Sequence, residues 1–149
     1  MFNLKKEETV HAHCDGPCGV YDPAAARTNA EAVLSMTKKI LAMEMPEHNN
    51  KEGMLAYHNT LIRYVKIKEE QAQKAKDELL ILWTDYFKPA HLEMFPALHD
   101  TFWKAAKLCS SCKVEVNLEH AQELMEAVKV IHEIFWKSKD RNVEWVLAS

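Results

Sequence analysis

Apolar residues recur along this chain at intervals of three and four over long stretches, the period of helices that bury one face. The first stretch opens at Asp22-Pro23, where an aspartate suits the cap and a proline suits the first helical position, and it carries Val33, Met36, Ile40 and Leu41. That pattern predicts a helix from about Pro23 to about Met45, ended by Pro46 and the polar run His48 to Lys51. A longer segment, Glu52 to Phe87, spaces Leu55, Leu61, Ile62, Val65, Leu79, Leu82 and Trp83 along its length, with Lys68, Glu69, Lys74 and Asp77 on other faces, and Lys88-Pro89 stops it. The charged run Lys66 to Lys76 reads as a solvated helix face. After Pro89 and Pro96 a shorter helix is predicted over Ala97 to Leu108. The last helix, Leu118 to Lys137 behind the capping residue Asn117, has the cleanest stripe: Leu118, Ala121, Leu124, Met125, Val128, Ile131, Ile134 and Phe135. Four amphipathic helices with short links predict an all-α fold, an antiparallel up-and-down four-helix bundle over residues 22–149.

Composition agrees with that picture and narrows the function. With 149 residues, 48% of them apolar and 28% charged, the chain can bury a core without any covalent staple, and only 3 glycines and 5 prolines favour long helices. The net charge is −3 and the basic residues are interleaved with acidic ones, which argues against nucleic-acid binding. Neither a signal-peptide apolar stretch nor a membrane-length apolar run occurs, so the expected location is the cytoplasm and no membrane partner is expected. In a reducing compartment the two close cysteine pairs, Cys14 with Cys18 and Cys109 with Cys112, point to metal or redox chemistry rather than to disulfides.

The chemistry is concentrated in residues 1–21, ahead of the first helix. HAHCDGPCGVY, beginning at His11, sets Cys14 and Cys18 around Gly16-Pro17, a spacing that lets both sulfurs face one point while proline limits the entropy lost on closing the loop. Two thiolates do not complete a site. If the chain begins at His13, its α-amine and the Cys14 amide nitrogen form a chelate beside the sulfurs, and the His13 imidazole can reach an axial position. Two sulfurs and two nitrogens in a plane suit Ni(II) or Cu(II) rather than Zn(II).

HCDGPCGVYDPAAAR resembles the N-terminal hook of the nickel superoxide dismutase family, whose motif is His-Cys-x-x-Pro-Cys-Gly-x-Tyr followed by Asp-Pro. The block from Leu82 to Pro89 with Phe95 to His99, and Ile134-Phe135-Trp136 near the end, resemble the family as well. The resemblance implies a right-handed four-helix bundle assembled as a homohexamer, and one nickel ion per subunit. It also implies a leader, residues 1–12, removed by a maturation protease that cuts between Ala12 and His13, leaving a hook over residues 13–21. It makes His13, Cys14 and Cys18 the nickel ligands, superoxide the substrate, and oxygen and hydrogen peroxide the products. Tyr21 and Tyr86 would limit access and order water, and Asp15, Asn29 and Gln71 would surround the ligands without binding the metal. Asn29 stands where better-studied members have a glutamate that orients the axial imidazole, and Gln71 where they have its arginine partner, which would weaken the ring as a donor.

A different reading of the cysteines is a non-enzymatic zinc module in which Cys14, Cys18, Cys109 and Cys112 form a four-sulfur site. A third places the cut before His11 and leaves the thiols idle. Outside such a module, Cys109 and Cys112 are expected to be solvent-near reduced thiols. Trp83, Phe87, Phe135 and Trp136 are expected in the core or a subunit interface, and His48, His58, His91, His99, His120 and His132 to be structural or exposed.

Overall fold

The computed structural model describes residues 18–149, and these contain helices and no strand. The helices are α1 (Ala24–Leu41), α2 (Lys51–Ile81), the short α3 (His91–Met94), α4 (Leu98–Val114) and α5 (Leu118–Ser138), with a π-helical turn, Leu82–Tyr86, closing the end of α2. Each of the four long helices packs on two others, α1 with α2 and α5, and α4 with α2 and α5, which closes the bundle. Among the described residues no helix is long and apolar enough to cross a membrane. The leader, and the expected roles of His13, Cys14 and Asp15, fall outside the described residues.

Local chemistry explains most helix ends. Asp22 Oδ1 accepts the Ala24 N–H at 2.9 Å, and the Pro23 carbonyl accepts the first intrahelical bond from Arg27 N–H. Asn50 and Asn117 cap α2 and α5 through Oδ1, accepting from Gly53 N–H at 2.9 Å and His120 N–H at 3.1 Å. α1 stops at Leu41 instead of near Met45, because the residue before Pro46 is driven out of helical geometry and exposed Leu41 and Met45 find no packing to hold another turn. α2 likewise buries nothing fully before Lys68, so Leu55 and Ile62, expected in the core, are 63% and 67% exposed.

α4 runs six residues past its expected end at Leu108. Its buried stripe Leu98, Phe102, Ala105 and Ala106 continues through Cys109 and Cys112, which serve as small apolar residues rather than as solvent-near thiols. Lys68, expected on a solvated face, is instead 1% exposed and donates from Nζ to the carbonyl oxygens of Cys112, Lys113 at 3.0 Å and Glu115 at 2.9 Å. These carbonyls lie at the C-terminal end of α4, where the helix dipole favours a cation. Burial pushes the Lys68 ammonium below its ordinary range, with Glu69 and Cys112 opposing the shift.

After α5 the chain turns at Asp140, whose φ is 53°, with the Arg141 N–H donated to the Trp136 carbonyl at 2.9 Å. Residues 141–149 then strap across α5 and α1. His132 Nε2 donates to the Val143 carbonyl at 2.9 Å while Trp145 packs edge-on against its ring. Further along, buried Glu31 accepts from Ala148 N–H at 3.0 Å and from both the N–H and the hydroxyl of Ser149 at 2.6 Å, and pairs with Arg27 at 3.2 Å. Burial alone would raise the Glu31 carboxyl, but those hydrogen bonds and Arg27 outweigh it and hold the group below the ordinary glutamate value.

Two outcomes follow from these buried charges. Lys68→Met leaves three carbonyls at the end of α4 without their donor, so denaturant unfolding should show a loss of about 2–4 kcal/mol. Because the folded Glu31 pKa is lowered, its contribution to stability is complete above the ordinary value of 4.5 and is lost as pH falls through the folded value. Hydrogen exchange of the Ala148 and Ser149 amides should accelerate in that acid range, and in Glu31→Gln at every pH. Protection that persists in Glu31→Gln would refute the clamp.

Candidate metal centre

The described part of the hook begins at Cys18, whose thiol is exposed. Gly19 follows with φ of 68°, and no heavy atom lies within 4 Å of where a Cβ would stand, so glycine is required there by backbone conformation and not by space. That left-handed residue turns the chain toward Tyr21, whose ring centre lies 5.6 Å from that of Tyr86 with the planes at 55°. The two tyrosines that sequence reasoning singled out, 65 positions apart, are thus brought together three residues after Cys18.

The bundle holds Tyr86 from several sides. Its ring lies 4.6 Å from Phe135, 4.8 Å from Phe87 and 5.7 Å from His91, nearly parallel to the last. Its hydroxyl is 2.7 Å from Ser138 Oγ, and the Lys139 ammonium lies 5.2 Å from the ring centre. His91 Nδ1 accepts the Lys88 N–H at 2.9 Å, which fixes the imidazole that backs the tyrosine. The π-helical turn presents Tyr86 in this way: the Phe87 N–H reaches the Leu82 carbonyl at 3.2 Å, and Phe87 then leaves helical geometry ahead of Lys88-Pro89.

Asn29 on α1 and Gln71 on α2 are each half-buried, and no hydrogen bond joins them among the described residues. Phe87, Phe135 and Trp136 are buried, as expected for core residues, while Trp83 is half-buried and stacks on Phe102. The signals that sequence reasoning passed over were Ser138 and Lys139, polar residues at the end of the cleanest helix, while His91, expected to be structural or exposed, is structural.

The thiols divide by environment. Burial pushes Cys109 up to about 12, with Cys112 adding to it, and Cys112 up to about 11, so both stay protonated and poorly suited to bind a metal. Cys18 alone of the described cysteines is open to a ligand. No group of three metal-ligating side chains forms among the described residues, so the zinc module, which would gather Cys18 with Cys109 and Cys112, is not built. An accessible cysteine on a glycine turn can supply one of the two sulfur donors that a planar sulfur-and-nitrogen nickel site needs.

Fold and described site together define an all-α class, a helical bundle with an exposed cysteine on a glycine turn three residues before one of two packed tyrosines. The comparisons agree. Residues 8–139 match the family model for nickel-containing superoxide dismutase. Superoxide dismutase [Ni] of Streptomyces seoulensis is 39% identical over 130 residues, spanning 87% of this chain and 90% of that protein. The corresponding protein of Streptomyces coelicolor is 37% identical over 88% of this chain and 91% of its own length. A crystal structure of a nickel-containing superoxide dismutase after partial X-ray-induced reduction superposes with a TM-score of 0.72 at 40% identity, covering 86% of this chain and 99% of that one. A native nickel superoxide dismutase structure gives a TM-score of 0.72 at 36% identity, with 85% and 99% covered. The chain belongs to the nickel-containing superoxide dismutase family. The strap, residues 141–149, lies beyond the residues that the family model matches.

The thiol environments give a direct expectation. In the nickel-free folded protein, an alkylating reagent should modify Cys18 quickly and leave Cys109 and Cys112 unmodified until the bundle unfolds. Peptide mass spectrometry reads the order, and early labelling of Cys112 would count against the packing described.

Proposed function

We propose that this chain dismutates superoxide at a nickel ion bound by His13, Cys14 and Cys18, with Tyr21 and Tyr86 as the access pair. The observation that carries the reading is the exposed Cys18 thiol on a left-handed glycine turn, three residues before a tyrosine packed on Tyr86, in a chain of this family. Bound nickel supplies one-electron redox chemistry between its divalent and trivalent states. The net reaction takes one electron from a first superoxide to give oxygen, and adds that electron and two protons to a second to give hydrogen peroxide.

The chain's own residues act by position. The packed tyrosine rings narrow the approach to small molecules, and their hydroxyl groups can order water beside the hook. Asp15, Asn29 and Gln71 complete the surroundings of the ligands. As neutral groups, Asn29 and Gln71 would orient an imidazole by hydrogen bonding without lending it negative charge.

Maturation and assembly complete the reading. Removal of residues 1–12 between Ala12 and His13 creates the amine ligand, and the hook, residues 13–21, then serves the bundle, residues 22–149. The mature chain works as a cytoplasmic homohexamer. Exposed Leu41 and Met45 with Leu55 and Ile62 on the α1–α2 hairpin support assembly, since several large exposed apolar side chains on one hairpin are often covered by a partner.

The test compares chains that begin at Met1 and at His13. The His13 form should bind one nickel per subunit and dismutate superoxide, while the form retaining Met1 to Ala12 should do neither; intact mass, metal analysis and light scattering report start, metal and assembly. Zinc in an active full-length chain would overturn the proposal.

A further inference from the structure

The C-terminal end of α5 meets Tyr86 twice. The Tyr86 hydroxyl oxygen lies 2.7 Å from Ser138 Oγ, and Lys139 Nζ stands over the ring. Ser138 has a single hydroxyl proton, and its Oγ donates to the Phe135 carbonyl at 2.6 Å. With that proton committed, Ser138 can only accept from Tyr86, so the phenol O–H donates to Ser138. What the Tyr86 oxygen still offers to an approaching molecule is its lone pairs. Ser138 is itself held in place: it is the last residue of α5, and the turn beyond it closes through the Lys139 and Arg141 N–H groups on the Trp136 carbonyl.

We infer that Ser138 is a positioning residue that makes the Tyr86 phenol a hydrogen-bond acceptor at the mouth of the metal centre. The inference deepens the nickel dismutase reading and rests on it for the identity of that mouth. A phenol whose proton is committed to Ser138 gives no hydrogen bond to an entering anion, superoxide included. It accepts from protonated species such as water or hydrogen peroxide. Lys139 attracts the anion through its charge without a directed bond, so substrate is drawn toward the tyrosines but not held there, while a protonated product meets an acceptor.

The test uses Ser138→Ala and Ser138→Thr, each alone and with Tyr86→Phe. In the nickel-free full chain, the carbon-13 resonance of Tyr86 Cζ should move in Ser138→Ala and stay in place in Ser138→Thr, which keeps the hydroxyl. In the nickel-loaded enzyme, azide as anionic probe should bind roughly three- to tenfold more tightly to Ser138→Ala, because the released phenol proton can reach it. Ser138→Thr should keep the parent affinity, and Ser138→Ala should have no effect on azide in the Tyr86→Phe background. An unmoved Tyr86 resonance in Ser138→Ala, or tighter azide binding that persists with Tyr86→Phe, overturns the inference. A chain that takes up no nickel overturns the nickel reading instead, and the Cζ resonance still decides the role of Ser138.

Discussion

The packing of Tyr86 and Phe87 against Phe102 of α4 and Phe135 of α5 is the contact on which the site depends. Phe102 and Phe135 are fully buried, and the four rings form a chain of contacts from 4.6 to 6.5 Å between centres. Each such pair adds about 0.5–1.5 kcal/mol beyond the area it buries, so several together make this end of the bundle stiff. The described part of the hook has no comparable core. Val20 is 72% exposed and Tyr21 is the large side chain that reaches the cluster. Placement of the described part of the hook is therefore tied to the bundle through Tyr21, and the order of the bundle's end is passed to it by that ring.

That end has the right shape because α2 does not finish as an α-helix. Lys88-Pro89 forbids another helical turn, and the chain responds by widening the last turn before Phe87 becomes extended. An ordinary α-helical ending would rotate the last residues of α2 relative to the cluster. The wide turn aims Tyr86 and Phe87 at α5 together, and the α5 terminus answers with Ser138 and Lys139. Wide turns of this kind recur at functional positions, and here the reason is geometric.

How much of this could be read from residues alone follows from the reach of each signal. Asn117, Asp22 and the α5 stripe act within a few positions, and α5 starts at Leu118 and ends one residue past its expected close. The hook motif is equally local, and it led to the family with no help from the fold. The π-helical turn, the extension of α4 and the burial of Lys68 depend on partners tens of positions away, which periodicity cannot register. A lysine among charges reads as solvated because burying an ammonium ordinarily costs several kcal/mol. Only the carbonyls of Cys112, Lys113 and Glu115, 44 to 47 positions later, make the burial tolerable. The strap was equally hidden, since its anchor Glu31 lies 117 and 118 positions from Ala148 and Ser149.

The three described cysteines show why environment rather than spacing decides their chemistry. By spacing, Cys109 and Cys112 are as good a metal pair as any C-x2-C sequence. Lys68 ties down the end of α4 and so allows the helix to continue past Leu108, which turns both sulfurs inward among apolar neighbours. There the thiolate, the form that binds metals and attacks electrophiles, is suppressed by burial. Cys18 lies outside that core, next to a left-handed turn that glycine adopts without strain. A protein whose product is hydrogen peroxide gains from this division, because peroxide oxidises thiolates and not buried thiols. The same bundle thus presents one described thiol to chemistry and withdraws two from it, without any change in the residue itself.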